Sequence, residues 1–434
     1  MNQEILELLA EKKYSAVKQL IGQMEEADLA KLFEELENEE DADQFNRLFR
    51  LLPKETAAEV FSYMEPEIQE KIVRTLTDTE LQHILDDLFM DDYVDLVEEM
   101  PANVVKRVMQ NTTPANRKLI NQYLKYPEDS AGSLMTNEYV YFRSGITVAK
   151  AFEIIREHGV DKETIYTCYV TSSRKELLGV VTVREMLLTA PETIIDTLMD
   201  TNPIHVHTHD DQEEIAKMFS RYDMLAMPVV DSENRIVGII TIDDAVDVIQ
   251  DENTEDIKKM AAIIPSDEDY MKTSIWSLVA HRLPWLMLLM ISATFTSTII
   301  THFETLLSGA VLLTAFIPML MDSAGNSGSQ TSVTVIRNLA LGEIELRDWP
   351  HVLAKEIGVA VVSGAALALV NFLRIIIFTS TSMMIAAVVS VTLFCTVIIA
   401  MIVGCLLPIG AKKLGFDPAV MASPMITTIV DACS

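Results

Sequence analysis

The stretch IPMLMDSAGNSGSQTSVTVIRNLALGE, residues 317–343, introduces polar residues and glycine into an apolar half of the chain. From Asp322 to Gln330 every residue is polar, glycine or alanine. Irregular backbone at membrane depth is tolerated only where it packs within protein or lines a cavity. We therefore predict a polar break in a membrane helix over 322–330, and the candidate pore-lining residues there are Pro318, Gly325, Asn326 and Gly328.

Residues 271–434 around this stretch contain apolar windows long enough to span a bilayer. The windows lie at about 284–303, 306–321 continuing into 333–340, 357–379, 383–409, and from Pro418 onward. The bases between windows all fall on the side of the N-terminal half, which predicts five spans with that half in the cytoplasm: Arg282, Arg337, Arg347, Lys355, Lys412 and Lys413. The fifth window has 17 residues, which is marginal, so we expect the last helix to be truncated in this chain.

The final window carries a carboxylate. In GFDPAVMASPMITTIVD, residues 415–431, a proline interrupts the apolar run and Asp431 follows seven residues later. An ionisable residue within the membrane is costly and usually functional. Asp431 is therefore the candidate pore ligand, with a hydrogen-bonded structural acid as the alternative. Further candidate pore-lining residues are Ser423, Pro424 and Thr427.

Residues 1–270 hold all of the excess charge. Residues 271–434 contain eight acidic and eight basic residues, so the net charge of −30 lies entirely in the N-terminal part. This sign excludes nucleic acid as a partner and makes cations the natural ligands. Solubility is the ordinary alternative explanation of such acidity. No signal peptide precedes the acidic part, which we expect to stay in the cytoplasm.

Residues 1–125 show helix-type periodicity, and prolines that suit the first position of short helices punctuate it: Pro53, Pro66, Pro101 and Pro114. Residues 131–254 instead show short β-branched runs in an internal repeat of roughly 60 residues. LGVVTV at 178–183 is echoed by VGIITI at 237–242, and each unit has the order β-α-β-β-α. This repeat resembles a tandem pair of CBS modules, which commonly bind adenine nucleotides such as ATP.

A charged helical pattern from Asp243 to Asp269 connects this repeat to the membrane half. Carboxylates share one helix face, four positions apart, in three pairs: Asp91 and Asp95, Asp243 and Asp247, and Glu252 and Asp256. Such like-charge pairs are destabilising unless they are neutralised. Mg²⁺ is usually held by one or two carboxylates and waters, so the pairs indicate an ionic sensor, with a solvated helix face as the alternative.

The order of these segments, and the stretches 317–343 and 415–431, resemble the MgtE family of magnesium channels and transporters. The resemblance implies a homodimer whose pore lies on the two-fold axis, with Asp431 of each protomer binding hydrated Mg²⁺. It also implies regulatory metal ligands at Glu59, Asp91, Asp95, Asp211, Glu213, Asp223, Asp244, Asp247, Glu252, Glu255, Asp256 and Asp417. One departure is at Ser423, where some relatives have asparagine.

We therefore predict a multidomain α and α/β membrane protein. Its parts are a superhelical N-terminal domain (1–128), CBS modules at 129–197 and 198–254, a connecting (plug) helix (243–270) and a five-helix transmembrane domain (271–434). The predicted function is Mg²⁺ uptake across the plasma membrane, gated by cytosolic Mg²⁺.

Three other functions compete with this prediction: CBS-regulated transport of another divalent cation, such as Mn²⁺ or Co²⁺, or of another solute; a membrane metalloenzyme with zinc at His205, His207 and His209; and a regulatory scaffold. Asp431 argues against an anion, because Arg374 is the only base predicted within a span, and it lies near an end where it can reach the interface. The sequence contains no P-loop, G-x-S-x-G or H-E-x-x-H motif.

Overall fold

The structure is a computed structural model that describes residues 2–37, 42–266, 270–271, 273–305, 311–379, 382–421 and 423–434. The chain divides into two compact units, Met1–Ile249 and Gln250–Ser434. The first unit begins with ten short helices: α1 (Asn2–Ala10), α2 (Tyr14–Ile21), α3 (Glu26–Glu37), α4 (Ala42–Phe49), α5 (Lys54–Ser62), α6 (Pro66–Thr75), α7 (Asp78–Asp87), α8 (Met90–Glu99), α9 (Ala102–Asn111) and α10 (Pro114–Tyr123).

The four prolines start helices as expected. Pro66 and Pro114 occupy the first turn of their helices, and Pro53 and Pro101 are the residues just before α5 and α9. Helices α3, α5, α7 and α9 contact one another in succession, which is the arrangement of a superhelical array. Each helix is too short to be stable alone, so packing of its apolar face stabilises it.

The repeat forms two three-stranded sheets. The first module contains α11 (Ala131–Leu134), β1 (Tyr139–Arg143), α12 (Val148–His158), β2 (Thr164–Thr171), β3 (Leu177–Thr182) and α13 (Val183–Leu187). The second contains β4 (Val206–His207), α14 (Gln212–Tyr222), β5 (Ala226–Val230), β6 (Ile236–Thr241) and α15 (Ile242–Met260). In each sheet the first strand pairs parallel to the second, and the second antiparallel to the third, so the β-α-β-β-α prediction is confirmed.

Two glycines of the repeated motif permit close backbone contacts. A Cβ at Gly179 would lie 2.5 Å from the carbonyl oxygen of Asp200, and one at Gly238 would lie 2.7 Å from that of Thr136. At these points Asp200 pairs with Val180, and Thr136 pairs with β6. The segment that leads into module 1 thus pairs with module 2, and the segment that leads into module 2 pairs with module 1.

The ten helices and the second CBS module share one hydrophobic core. It runs from Ile5 and Phe33 through Tyr93 to Met227 and Ile240. A shared core of this kind holds the surface of α8 against the CBS pair, because separating them would expose the apolar side chains that form it.

Helix α15 is shorter than the sequence pattern predicts. It ends at Met260 rather than continuing to Asp269, and Ala262 has a positive φ of 55° that is incompatible with helix. Residues 267–269 of the predicted helix lie outside the described residues. The predicted end of this helix was wrong, because the charged, helix-like pattern of the sequence continues past Met260, where the helical backbone ends.

The second unit contains α16 (Ile275–His302), α17 (Val311–Thr314), α18 (Ile317–Ala340), α19 (Trp349–Phe378), α20 (Met383–Lys413) and α21 (Ser423–Cys433). Within the described ranges, three segments are long and apolar enough to cross a membrane: Ile275–His302, Leu346–Phe378 and Met383–Lys413. Of the predicted second window, 306–310 lie outside the described residues. The expectation of five spans stays a prediction.

Two local predictions in this unit were wrong. Helix α18 runs unbroken through 322–330, so there is no polar break; its glycines pack against neighbouring helices instead. The last apolar window is not one helix from Pro418: a short turn at Pro418–Met421 precedes α21, and Pro424 lies in the first turn of α21, where proline is tolerated. At ~1.5 Å per residue, the 11 residues of α21 reach only about 16 Å.

The close contacts at Gly179 and Gly238 predict that alanine at either position destabilises the CBS pair. The added methyl must displace backbone, so we expect a loss of about 1–3 kcal/mol in the free energy of unfolding. Thermal unfolding of the whole chain in detergent measures it. Gly358, which has open space around its Cβ position, provides the matched glycine-to-alanine control. If Gly179→Ala left the unfolding temperature of the unit Met1–Ile249 unchanged, the proposed packing would be wrong.

Candidate cation-binding sites

Carboxylates from the N-terminal helices and from the CBS pair lie close together in the unit Met1–Ile249. Asp91 and Asp92, in the first turn of α8, both experience the negative charge of Asp244 in the first turn of α15. Glu163, just before β2, experiences the charges of Asp243, Asp244 and Asp92. The eight carboxylates of this group are called the acid cluster: Asp91, Asp92, Asp95, Glu138, Glu163, Asp243, Asp244 and Asp247.

Burial and mutual repulsion make Asp91, Asp92 and Glu163 hard to ionise. Burial, followed by the charges of neighbouring acids, raises the pKa of Asp92 to about 7 and that of Glu163 to about 8, and raises the pKa of Asp91 well above its ordinary value. Burial raises the pKa of Asp244 only to about 6, because the hydroxyl of Thr241 donates a hydrogen bond to its Oδ2 at 2.7 Å. Protons or an added cation would relieve the repulsion among these four carboxylates.

Asp95, like Asp243 and Asp247, lies on the exposed side of the acid cluster. Burial, followed by the charges of Glu99 and Asp92, raises the pKa of Asp95 above its ordinary value. The surface area of its side chain nevertheless shows that it is exposed to solvent. Because exposed carboxylates are well hydrated, we expect a smaller shift at Asp95 than at Asp92. Asp95 therefore lies at the rim of the acid cluster, where solvent enters.

The acid cluster has no basic partner among the described residues. In the described part of the chain, none of its members forms an ion pair with lysine, arginine or histidine. Oε2 of Glu163 is buried without a hydrogen-bond partner. Among the same residues, no three His, Cys, Asp or Glu side chains converge as direct ligands. A hydrated Mg²⁺ needs only one or two carboxylates and keeps its waters, so wider spacing suits it.

Four other predicted regulatory acids lie outside the acid cluster, on α5 and α14. Glu59 is exposed on α5, and burial and the charge of Glu26 raise its pKa. Asp211 caps α14 by accepting from the backbone N–H of Glu213 at 3.0 Å. Glu213 pairs with a lysine one turn later, and Asp223 ends α14 in a left-handed conformation, φ 51°. Local structure therefore accounts for the last three acids without a metal.

The remaining predicted acids lie in the unit Gln250–Ser434. Glu252 and Asp256 lie within the last part of α15. Glu255 lies there too, and it shares a partner with Asp417: the ammonium nitrogen of Lys259 is 2.8 Å from a carboxylate oxygen of each. These two predicted metal ligands are thus already joined by a cation that belongs to the chain.

The candidate pore residues divide between two sides of α18. Its exposed side carries a row of polar residues four positions apart: Asp322, Asn326, Gln330 and Thr334. The opposite side is buried and includes Gly325 and Gly328, both predicted to line a pore. A Cβ at Gly325 would lie 3.3 Å from Thr427, and the Gly328 carbonyl lies 2.3 Å from where a Cβ at Gly404 would be. These glycines thus pack helices together.

Helix α21 carries Asp431 beside α18. Thr427 faces Gly325, and Asp431 follows one helical turn later on the same side. The carboxylates of Asp322 and Asp431 are close enough for their charges to interact. Pro318 lies in the first turn of α18, and Ser423 and Pro424 lie in the first turn of α21, where their side chains are outside the described part of the structure.

Among the described residues, the alternative of a zinc site at His205, His207 and His209 finds no support. His205 and His209 bond locally, through Nδ1 to the carbonyl of Pro203 and to the hydroxyl of Thr208, both at 2.9 Å, so the three histidines do not converge on a metal. Arg374 donates to Oδ1 of Asn371 at 3.0 Å, which gives it a partner within the bundle in addition to any interfacial contact.

Several residues of these sites escaped the sequence interpretation. Asp92 is adjacent to the predicted ligand Asp91. Asp243 was predicted as one of a carboxylate pair but not as a regulatory ligand. The local density of charge could have identified both as ligands. Glu138 and Glu163 belong to a different part of the chain, and no local pattern marks them. Lys259 was missed because its partner Asp417 is remote in sequence.

The comparisons with known proteins agree with this layout. Family descriptions match at residues 24–129 (MgtE intracellular N domain), 131–191 and 195–251 (CBS domain), and 317–434 (MgtE, divalent cation transporter). A magnesium transporter MgtE of Thermus thermophilus is 35% identical over 98% of this chain and 94% of its own length. One of Bacillus subtilis is 32% identical over 99% and 94%.

Two solved structures resemble the first unit. The cytosolic domain of the Mg²⁺ channel MgtE in complex with ATP has a TM-score of 0.54 and 35% identity, and covers 57% of this chain and 100% of its own. The soluble part of a magnesium transporter has a TM-score of 0.54 and 26% identity, over 58% and 97%. The helical N-terminal part and CBS pair therefore have known structural counterparts.

The raised pKa values predict that pH controls the stability of the acid cluster. Asp92, Asp244 and Glu163 bind protons more tightly when packed than when unfolded, so their contribution to stability is complete at low pH and is lost as pH rises through the folded pKa values of about 7, about 6 and about 8. Without divalent cations, we expect the melting temperature of the unit Met1–Ile249 to fall between about pH 5 and about pH 8, by roughly 2–4 °C per kcal/mol lost.

Added Mg²⁺ should reduce this fall, because it neutralises the carboxylates once protons leave. Calorimetry of the whole chain in detergent, with and without Mg²⁺, measures both effects. The double variant Asp92→Asn, Glu163→Gln should show a flatter pH profile. A melting temperature that rises with pH in the absence of Mg²⁺ would overturn the assignment.

Proposed function

Because the chain belongs to the MgtE family of divalent cation transporters, we propose that it carries Mg²⁺ across the plasma membrane and that cytosolic Mg²⁺ closes its path. The observation that carries the transport proposal is the polar row of α18, exposed on a helix flanked by apolar spans. Polar and ionisable residues in such a segment normally face a water-filled path or a partner. The two relatives that match nearly the whole chain are named as magnesium transporters.

The proposed path runs along the polar row and past Asp431. Mg²⁺ dehydrates reluctantly and keeps several waters, so a path for it needs few carboxylates and many polar groups that can bond water. Asp322, Asn326 and Asp431 supply both kinds of group. Arg374 donates to Asn371, and Arg337, beyond the polar row on α18, donates to Asn253, so neither base is assigned to the path.

A single chain leaves the polar row of α18 exposed. A second copy related by a two-fold axis would enclose it and bring two Asp431 carboxylates to one ion, which is the homodimer that the family resemblance implies. Loop charges support an orientation with the acid cluster in the cytoplasm. The CBS pair is a candidate ATP site, since the 35% identical cytosolic domain was solved with ATP.

We expect Asp431→Ala to abolish Mg²⁺ flux into liposomes, with uptake falling to that of protein-free liposomes, because the path would lose the carboxylate proposed to bind the ion. Asp431→Asn separates loss of charge from loss of volume. Glu343→Gln, an exposed acid in a loop of the same unit, is the control and should transport normally.

Robust Mg²⁺ flux in Asp431→Ala would remove Asp431 from the path. If the parent chain moves Mn²⁺ or Co²⁺ but not Mg²⁺, the alternative of another divalent cation takes over. If it moves none of these ions, the transport proposal is wrong.

The proposed gate is the acid cluster. When cytosolic Mg²⁺ is abundant, it neutralises the carboxylates of α8, the CBS pair and α15, and the shared core keeps them packed. When Mg²⁺ falls, the carboxylates repel one another, and the start of α15 separates from α8. Helix α15 is continuous from Ile242 to Met260, so a movement of its first turn is transmitted along it.

Neutralising Asp91, Asp95 and Asp247 together with asparagine should uncouple closure from Mg²⁺. Because the variant has lost the charges that Mg²⁺ screens, the cytosolic Mg²⁺ concentration for half-closure should shift by at least about tenfold, or about 1.4 kcal/mol. Patch recordings with controlled internal Mg²⁺ measure it. The control replaces three exposed acids outside the cluster with glutamine: Glu4, Glu7 and Glu25. Equal Mg²⁺ dependence in all three proteins would refute the gate.

A further inference from the structure

Lys259 joins two acids that are remote in sequence. Its ammonium nitrogen lies 2.8 Å from Oε1 of Glu255, one turn earlier on α15, and 2.8 Å from Oδ2 of Asp417, in the segment that leads to α21. All three side chains are partly buried, with exposed fractions of 24%, 38% and 36%. Water and salt screen a partly buried network of three charged groups less than they screen an isolated ion pair on the surface.

Neighbouring contacts strengthen the junction that Lys259 forms between the end of α15 and the segment before α21. Met260 packs against Ile336 of α18 and Ala419. Nη1 of Arg337 donates to Oδ1 of Asn253 at 3.0 Å, a second link between α15 and α18. The end of α15 is therefore attached at several points to the segments that carry the polar row and precede Asp431.

Both oxygens of Asp417 have a structural use. Oδ1 accepts from the backbone N–H of Ala419 at 2.8 Å, which orients the carboxylate within its turn, and Oδ2 accepts from Lys259. Partial burial lowers the pKa of Lys259, but the hydrogen bonds to Asp417 and Glu255 outweigh it and raise that pKa above its ordinary value. The ammonium group is thus charged at any physiological pH.

An ammonium group and a divalent cation exclude each other here. Directly bound Mg²⁺ would lie at about 2.0–2.1 Å from each oxygen, within a shell of waters, and that volume is taken by Nζ. The cation would also be repelled by the positive charge of Lys259. Glu255 and Asp417, which the family resemblance assigns to metal binding, therefore already have their cation.

We propose that Lys259 is a positioning residue of the gate: it is a tethered cation that takes the place of a divalent ion between Glu255 and Asp417 and fastens the end of α15 to the segment before α21. The proposal rests on the proposed function for its gating consequence. Closure then requires Mg²⁺ at the acid cluster but not at this junction, so a movement of α15 reaches α21 whether or not Mg²⁺ is bound near Asp417.

Hydrogen exchange of the whole chain in detergent, without divalent cations, tests the contact independently of transport. In Lys259→Gln, the amides of Gln250–Met260 should exchange about fivefold faster than in the parent, because the helix end is released. Lys259→Arg should restore protection, since it keeps the charge. Lys258→Gln removes the same charge from the adjacent position, whose lysine bonds a backbone carbonyl, and should resemble the parent.

Adding Mg²⁺ should slow the exchange of this segment more in Lys259→Gln than in the parent, because Glu255 and Asp417 become free to bind the ion. Equal exchange in the parent and Lys259→Gln without divalent cations would overturn the proposal, and so would equal effects of the Lys258 and Lys259 substitutions.

Flux then separates this proposal from the proposed function. In liposomes, Lys259→Gln should change the internal Mg²⁺ dependence of flux, and Lys259→Arg should restore it. An unchanged dependence in a transporting protein would remove Lys259 from the gate. If no protein transports Mg²⁺, the proposed function fails, while the exchange comparison still decides whether the tethered cation exists.

Discussion

Repulsion among partly buried carboxylates is the constraint on which the packing of the unit Met1–Ile249 depends. One hydrophobic core joins the N-terminal helices to the second CBS module, and it brings Asp91 and Asp92 close to Asp244. Apolar burial favours the packed form, while like charges in a poorly hydrated place oppose it. Because the two effects oppose each other, a modest change in cation binding can decide between packed and separated forms, as the proposed gate requires.

Helix α15 illustrates two ways of neutralising acids. At its first turn, Asp243 and Asp244 have no lysine or arginine partner within the described residues, so their charge depends on ions from solution. Near its other end, Glu255 is neutralised by Lys259, which is permanently attached. Ions from solution neutralise the first turn through a binding equilibrium, whereas Lys259 is part of the chain. Only the first arrangement can therefore respond to the concentration of Mg²⁺.

Close packing determines which residues of the membrane unit can meet an ion. The contact between Gly328 and Gly404 brings α18 and α20 together and buries one side of α18. The polar row is left on the other side, with Asp322 near Asp431. The glycines of 322–330 therefore serve helix packing, and the polar residues on the opposite side of α18 are those that form the proposed path.

The sequence by itself determined the kind of protein: periodicity revealed the helices, the repeated strand motif revealed the CBS pair, and the separation of charge from apolar windows revealed the membrane half. These features are local, so they can be read from neighbouring residues. The tertiary structure alone decided that Glu138 and Glu163 join Asp91 and Asp244, that α18 is unbroken, and that Lys259 pairs with Asp417. Such outcomes depend on contacts between residues far apart in the chain, and no periodicity or spacing encodes them.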